Sequence, residues 1–208
     1  MKRLLPVMLL LLVSGFSQVH ADAFELTPFF GYRFGGDFDK TSSSSDISAL
    51  DIKSSENYGL TFGYAFNDNF ELEGLWSRQD SDLRIYRSEV ATETVDIKVE
   101  YFHVGGLVLS GDDLDTKRGF FSFSAGMVSF NPDTLRSKSF FSWSIGGGGK
   151  FYFNDWLGVR LQARFFPTYI NSSSNGYWCG PYGCYQSVDA NFVTQTEFTA
   201  GLIFRFGY

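Results

Sequence analysis

Apolar and polar residues alternate along most of this chain with a period of two. The last eleven residues give the clearest case: Phe198, Ala200, Leu202, Phe204, Phe206 and Tyr208 occupy every second position, and Thr199, Gly201, Arg205 and Gly207 fall between them, with Ile203 the one apolar exception. Side chains alternate faces along a strand, so this segment has one apolar face and one polar face. It also ends on an aromatic, as suits a strand whose apolar face meets lipid.

The same alternation predicts eight strands, at residues 24–34, 58–66, 70–78, 95–109, 121–127, 141–153, 157–165 and from about 192 to the end. In the third, Phe70, Leu72 and Trp76 face outward and Glu71, Glu73 and Ser77 inward. In the seventh, Leu157, Val159, Leu161, Ala163 and Phe165 oppose Arg160, Gln162 and Arg164. The fourth is read with Val95, Ile97, Val99, Tyr101, Leu107 and Leu109 outward and Asp96, Lys98 and Glu100 inward. Asn67-Asp68-Asn69 and Asn154-Asp155 predict tight turns. Long polar connections are predicted at residues 35–57, 79–94, 130–140 and 169–191, and an intermediate one at 110–118. Short turns at one end and long loops at the other are the signature of an antiparallel barrel that spans an outer membrane.

The start of the chain predicts export. Lys2 and Arg3 precede an apolar run from Leu4 to Val13, and Val19-His20-Ala21 fits a small-x-small cleavage site. The run is well short of the roughly 20 residues that a spanning helix needs. Residues 1–21 are therefore expected to be a signal peptide and 22–208 an outer-membrane β-barrel domain. The mature chain would carry 15 basic and 23 acidic residues, a net charge of −8, which argues against nucleic acid as a partner. With 24 Phe and 11 Tyr, the aromatics suit a lipid-facing belt better than a soluble core.

On this register the interior acids are Glu25, Glu71, Glu73, Asp96, Glu100 and Glu197, and the interior bases are Arg33, Lys98, Lys150, Arg160, Arg164 and Arg205. Charges enclosed in a narrow barrel must pair, because an isolated one costs several kcal/mol. An eight-stranded barrel is just wide enough for side chains to fill it. The expectation is a salt-bridged plug, with a narrow charged pore as the alternative.

The fold class expected is all-β, an eight-stranded antiparallel up-and-down transmembrane β-barrel. The export signal, the alternating strands, the alternating loop lengths and the terminal aromatic strand resemble the small outer-membrane barrels of the OmpA/OmpX-like superfamily, the outer membrane protein β-barrel domain proteins. The resemblance covers residues 22–208. It implies that Leu202, Phe204, Phe206 and Tyr208 form a C-terminal signal read by the barrel-assembly machinery. It carries over no functional residue, and a peptidoglycan-binding domain beyond the barrel is not expected.

The remaining chemistry is sparse. Cys179 and Cys184, separated by Gly-Pro-Tyr-Gly, are expected to form a disulfide at a loop tip, where Tyr177, Trp178, Tyr182 and Tyr185 would make an aromatic knob. Two thiols without a nearby His do not make a zinc site, so neither metal nor cofactor is expected. His103 is the only histidine after residue 21; the register places it on the lipid face, with no Ser within three positions, so no catalytic residue is assigned. Arg136 and Lys138 are candidates for pairing with lipopolysaccharide phosphates. The partners expected are outer-membrane lipid, lipopolysaccharide and a surface ligand for the external loops, and the chain is expected to be a monomer. The functional expectation is a structural or surface-interaction role. The alternatives are an OmpW-like channel for small or apolar molecules and a lipid-modifying enzyme.

Overall fold

The computed structural model describes residues 23–38, 47–87, 93–110, 116–133, 137–170, 177–180, 183–186 and 192–207. Residues 1–21, expected to form a signal peptide, and Arg136, Tyr182 and Tyr208 lie outside the described residues. Eleven strands follow one another: β1 (Phe24–Phe38), β2 (Ile47–Ile52), β3 (Ser55–Asn67), β4 (Phe70–Arg87), β5 (Glu93–Leu109), β6 (Lys117–Pro132), β7 (Lys138–Tyr152), β8 (Leu157–Tyr169), β9 (Tyr177–Gly180), β10 (Gly183–Gln186) and β11 (Phe192–Phe206).

Each long strand pairs antiparallel with its neighbours, and β1 closes the sheet on β11 through pairs such as Glu25↔Arg205, Phe30↔Ala200 and Arg33↔Glu197. β2 and β3 pair in succession with β4, so together they form one barrel strand interrupted at Lys53 and Ser54. The result is a closed barrel of eight strands, with no free edge to recruit another chain. β9 and β10 form a separate two-stranded sheet.

Two turns at one end share a mechanism. The Asn67 carboxamide oxygen accepts hydrogen bonds from the backbone N–H groups of Asn69 and Phe70, both at 2.9 Å. The Asn154 oxygen does the same for Trp156 at 3.1 Å and Leu157 at 2.8 Å. Both satisfy the donors of a tight turn from within it. At the other end β1 passes through Gly35 and Gly36, whose φ angles of 84° and 121° favour glycine. A register shift there carries β1 past the end of β3 to meet β2 at Asp37↔Asp51.

The strands are longer than the alternation predicted. β4 extends to Arg87, β6 spans residues 117–132, and β7 begins at Lys138, so most of the predicted 130–140 connection is strand. The predicted loops at 35–57 and 169–191 contain β2 and the β9–β10 hairpin.

Large apolar side chains cover the outside, among them Phe30, Phe62, Val104, Phe123, Met127, Leu161 and Phe198. A water-soluble monomer rarely exposes so continuous an apolar surface. The described residues hold no helix long and apolar enough to cross a membrane.

The fourth barrel strand corrects the sequence register. Ile97, Val99, Tyr101, Leu107 and Leu109 point inward with at most 4% exposure, whereas Phe102, Val104 and Val108 point outward. Asp96, Lys98 and Glu100 therefore lie on the outer face, not in the interior. The alternation itself is correct, but its polarity inverts in the upper part of the strand; Leu107 and Leu109, nearer the tight turns, pack inside with Phe120 in a separate buried cluster. Next to hydrocarbon the outer face is apolar; beyond it the outer face meets water and headgroups, and charge moves outside. β4 inverts at the same height: Trp76 pairs with Phe102, and Arg78 with Glu100. Above that line Arg78, Asp80 and Asp82 face outward and Leu83 faces inward.

Candidate functional site

Among the described residues the barrel interior gathers most of the buried charged and hydroxyl side chains. The inward parity of each strand sets its contents. β7 supplies Ser142, Ser144, Lys150 and Tyr152, β8 supplies Arg160, Gln162 and Arg164, and β4 supplies Glu71, Glu73, Ser77 and Gln79.

Nearest the tight turns, the Lys150 ammonium lies 2.5 Å from Glu25 Oε2 and 2.5 Å from Glu71 Oε2, with its side chain fully buried. These three residues come from β7, β1 and β4, so the contacts cross the bore. Glu25 Oε1 also accepts from Tyr152 Oη at 2.7 Å and from Arg205 Nε at 3.1 Å. The Arg205 guanidinium stacks 4.0 Å from the Tyr152 ring centre. Gly63 makes room for this cluster, because a Cβ there would overlap the Glu71 carboxylate.

One level further in, Glu73 receives two arginines from the far wall, Arg160 at 2.6 Å and Arg164 at 2.6 Å. Higher still, Arg33 lies 2.7 Å from Glu197 and donates to Ser77 Oγ, and Asn57 Nδ2 donates to the same Glu197 oxygen at 2.8 Å. The Arg33 guanidinium also sits 4.7 Å from the Tyr101 ring centre. Tyr101 Oη donates to Gln195 at 2.8 Å, and Gln195 donates to Gln79 at 3.2 Å.

Above these polar layers the interior turns apolar. Ile52, Leu83, Ile97, Val99, Val128, Phe130, Phe166, Ile170 and Val193 form one buried cluster with Tyr101 and Leu75. It fills the end that carries the long connections. Charges thus occupy the membrane-embedded part of the bore, and hydrocarbon side chains occupy its outer mouth.

His103 lies inside the barrel, 2% exposed, which corrects its predicted lipid-facing position. Its Nδ1 is 3.1 Å from Ser124 Oγ, and Ser124 Oγ is 2.6 Å from Ser144 Oγ. Gly126 on β6 leaves space for the imidazole, since a Cβ there would come within 2.8 Å of the ring. Ser124 escaped notice because the two strands bring it beside His103 from 21 residues away in sequence.

The interior charges differ from the predicted set. Glu25, Arg33, Glu71, Glu73, Lys150, Arg160, Arg164, Glu197 and Arg205 are buried inside, whereas Asp96, Lys98 and Glu100 are on the outer face. There Lys98 pairs with Asp133 at 3.3 Å with its side chain 45% exposed. Arg118 joins the interior and donates to the Asp68 carbonyl of the first tight turn. It escaped prediction because residues 110–118 read as a connection. Among the described residues the buried set is therefore four acids and six bases, not six of each. On the terminal strand, Leu202 and Phe206 are about half exposed on the outer face at 49% and 55%, and Phe204 shares that face. Among the described residues no group of His, Cys, Asp and Glu side chains is arranged to hold a metal ion.

A closed antiparallel barrel with an apolar exterior and a charged interior defines a class of outer-membrane protein. The family model for the outer membrane protein beta-barrel domain matches residues 8–206, and the chain belongs to that family. Its fold is similar to that of the outer membrane protein OprG from Pseudomonas aeruginosa, at 11% identity and a TM-score of 0.61, over 90% of this chain and 97% of that one. It is also similar to Neisserial surface protein A, at 11% identity and a TM-score of 0.52, over 88% of this chain and 99% of that one. No curated protein shows significant sequence similarity to the chain.

Proposed function

We propose that the protein is a closed, monomeric barrel of the Gram-negative outer membrane with a structural or surface-interaction role, neither conducting solutes nor catalysing a reaction. One observation carries this reading: the bore is crossed by buried ion pairs, with Lys150 bound to both Glu25 and Glu71 and Glu73 bound to Arg160 and Arg164. Opening a path would separate charges that burial has removed from water, at several kcal/mol per ion. The partners are then membrane lipid and lipopolysaccharide around the belt, the assembly machinery that reads the terminal strand, and a surface ligand at the external connections. The non-catalytic reading is supported by the burial of the His103–Ser124 pair, which keeps the imidazole away from solvent.

The apolar cluster at the outer mouth favours a second reading, a narrow conduit that admits small apolar molecules. Planar-bilayer recording separates the two. A closed plug gives no steady conductance in wild-type protein, and Lys150→Met/Glu73→Gln raises it. A steady open state in the wild type contradicts the plug. For catalysis, unchanged lipid A in cells carrying His103→Ala fits the proposal, and altered lipid A overturns it.

A further inference from the structure

The fourth connection holds an element outside the barrel sheet. β9 and β10 pair with each other alone, in the register Gly180↔Gly183, Cys179↔Cys184, Trp178↔Tyr185 and Tyr177↔Gln186. The two cysteines are thus direct cross-strand neighbours. Directly opposed residues of an antiparallel pair have Cα atoms about 4.5–5.5 Å apart, inside the roughly 4.4–6.8 Å that a disulfide spans. Only Pro181 and Tyr182 join the strands. The pair flanking a two-residue loop exchanges the turn's hydrogen bonds, so the next pair out is the non-hydrogen-bonded kind, where side chains approach most closely.

Two strands of four residues each form no stable sheet unaided.

We infer that Cys179 and Cys184 form an intramolecular disulfide that holds the β9–β10 hairpin, and with it Trp178 opposite Tyr185, at the end of the barrel that carries the long connections. The bond forms by exchange with the disulfide of an exported thiol–disulfide oxidoreductase. One cysteine thiolate attacks a sulfur of the donor and displaces its partner thiolate, giving a mixed disulfide. The second thiolate then attacks the sulfur of the first cysteine and releases the donor as a dithiol. This chain gives up two protons and two electrons, and the donor is reduced. The ring is short, so its effect is confined to the hairpin.

The test uses the full chain purified from outer membranes. Denatured with excess alkylating agent, the oxidised protein should take up no label at either cysteine, and after reduction it should take up label at both. On a non-reducing gel it should migrate as a monomer. Labelling of both thiols without reduction, or a disulfide-linked dimer, overturns the inference. Limited proteolysis then tests the holding role. Cys179→Ser/Cys184→Ser should lose protection between residues 171 and 191 and keep the heat-modifiable migration of a folded barrel. Protection equal to that of the oxidised wild type would overturn that role.

Discussion

Arg33 and Glu197 are directly opposed across the seam where the first and last strands close the barrel, 2.7 Å apart and both buried. Glu25 and Arg205 stand opposite each other across the same seam nearer the tight turns, at 3.1 Å. Residues 164 and 180 positions apart in sequence thereby lock the two ends of the sheet together. Glu197→Gln leaves the Arg33 charge buried without its counter-ion and should cost about 3–5 kcal/mol. Arg33→Met/Glu197→Leu should recover most of that loss, since replacing both members of a buried pair by apolar groups is often neutral. Urea unfolding in detergent micelles, followed by tryptophan fluorescence, measures both.

Lys150 holds two carboxylates that would otherwise face each other inside the bore. Lys150→Met should therefore destabilise more than Arg205→Met, which leaves Glu25 paired with Lys150. Adding Glu25→Gln and Glu71→Gln to Lys150→Met should restore part of the stability, and a cycle of the variants gives the coupling. Equal effects of Lys150→Met with and without the two glutamines would contradict the arrangement.

The inversion of polarity along β5 predicts opposite tolerances at neighbouring heights. Leu161, 49% exposed among lipid-facing residues, should resist charge: Leu161→Arg should cost about 2–4 kcal/mol, as for an arginine near the bilayer midplane. Lys98→Ala should shift stability by no more than about 0.5 kcal/mol, because an exposed ion pair in water contributes little. A register with Lys98 inside would instead make that variant severely unstable. Unfolding of each variant in lipid vesicles decides between the two registers.

Phe206 sits on the outer face of the strand that closes the barrel, opposite Phe24. Phe206→Asp puts a charge on that apolar face and should lower the amount of heat-modifiable barrel recovered from outer membranes. Wild-type recovery would contradict a recognition role for the terminal strand.

Strand number, closure and most of the interior were legible in the sequence, because one hydrophobic and one polar residue per repeat suffice to orient a strand between lipid and a polar bore. Glu71 and Glu73 on β4 and Arg160 and Arg164 on β8 follow that rule. β5 did not, since Ile97, Val99 and Tyr101 look lipid-facing until the strand is known to rise above the membrane. The sequence pattern has no marker for that height. Arg118 and Ser124 escaped for a different reason: their roles depend on partners brought by the sheet, Asp68 and His103, and not on neighbours in the chain.

The central claim is that hydrocarbon surrounds this cylinder up to the level of Trp76 and Phe102, and that water lies beyond. Spin labels at residues 123, 161 and 198, compared with labels at 82 and 98, test it directly in reconstituted vesicles. The first three should relax with oxygen and be shielded from a water-soluble nickel chelate, and the last two should show the reverse. Chelate access at all five sites would mean that the outer surface is wet throughout, and the account would fail.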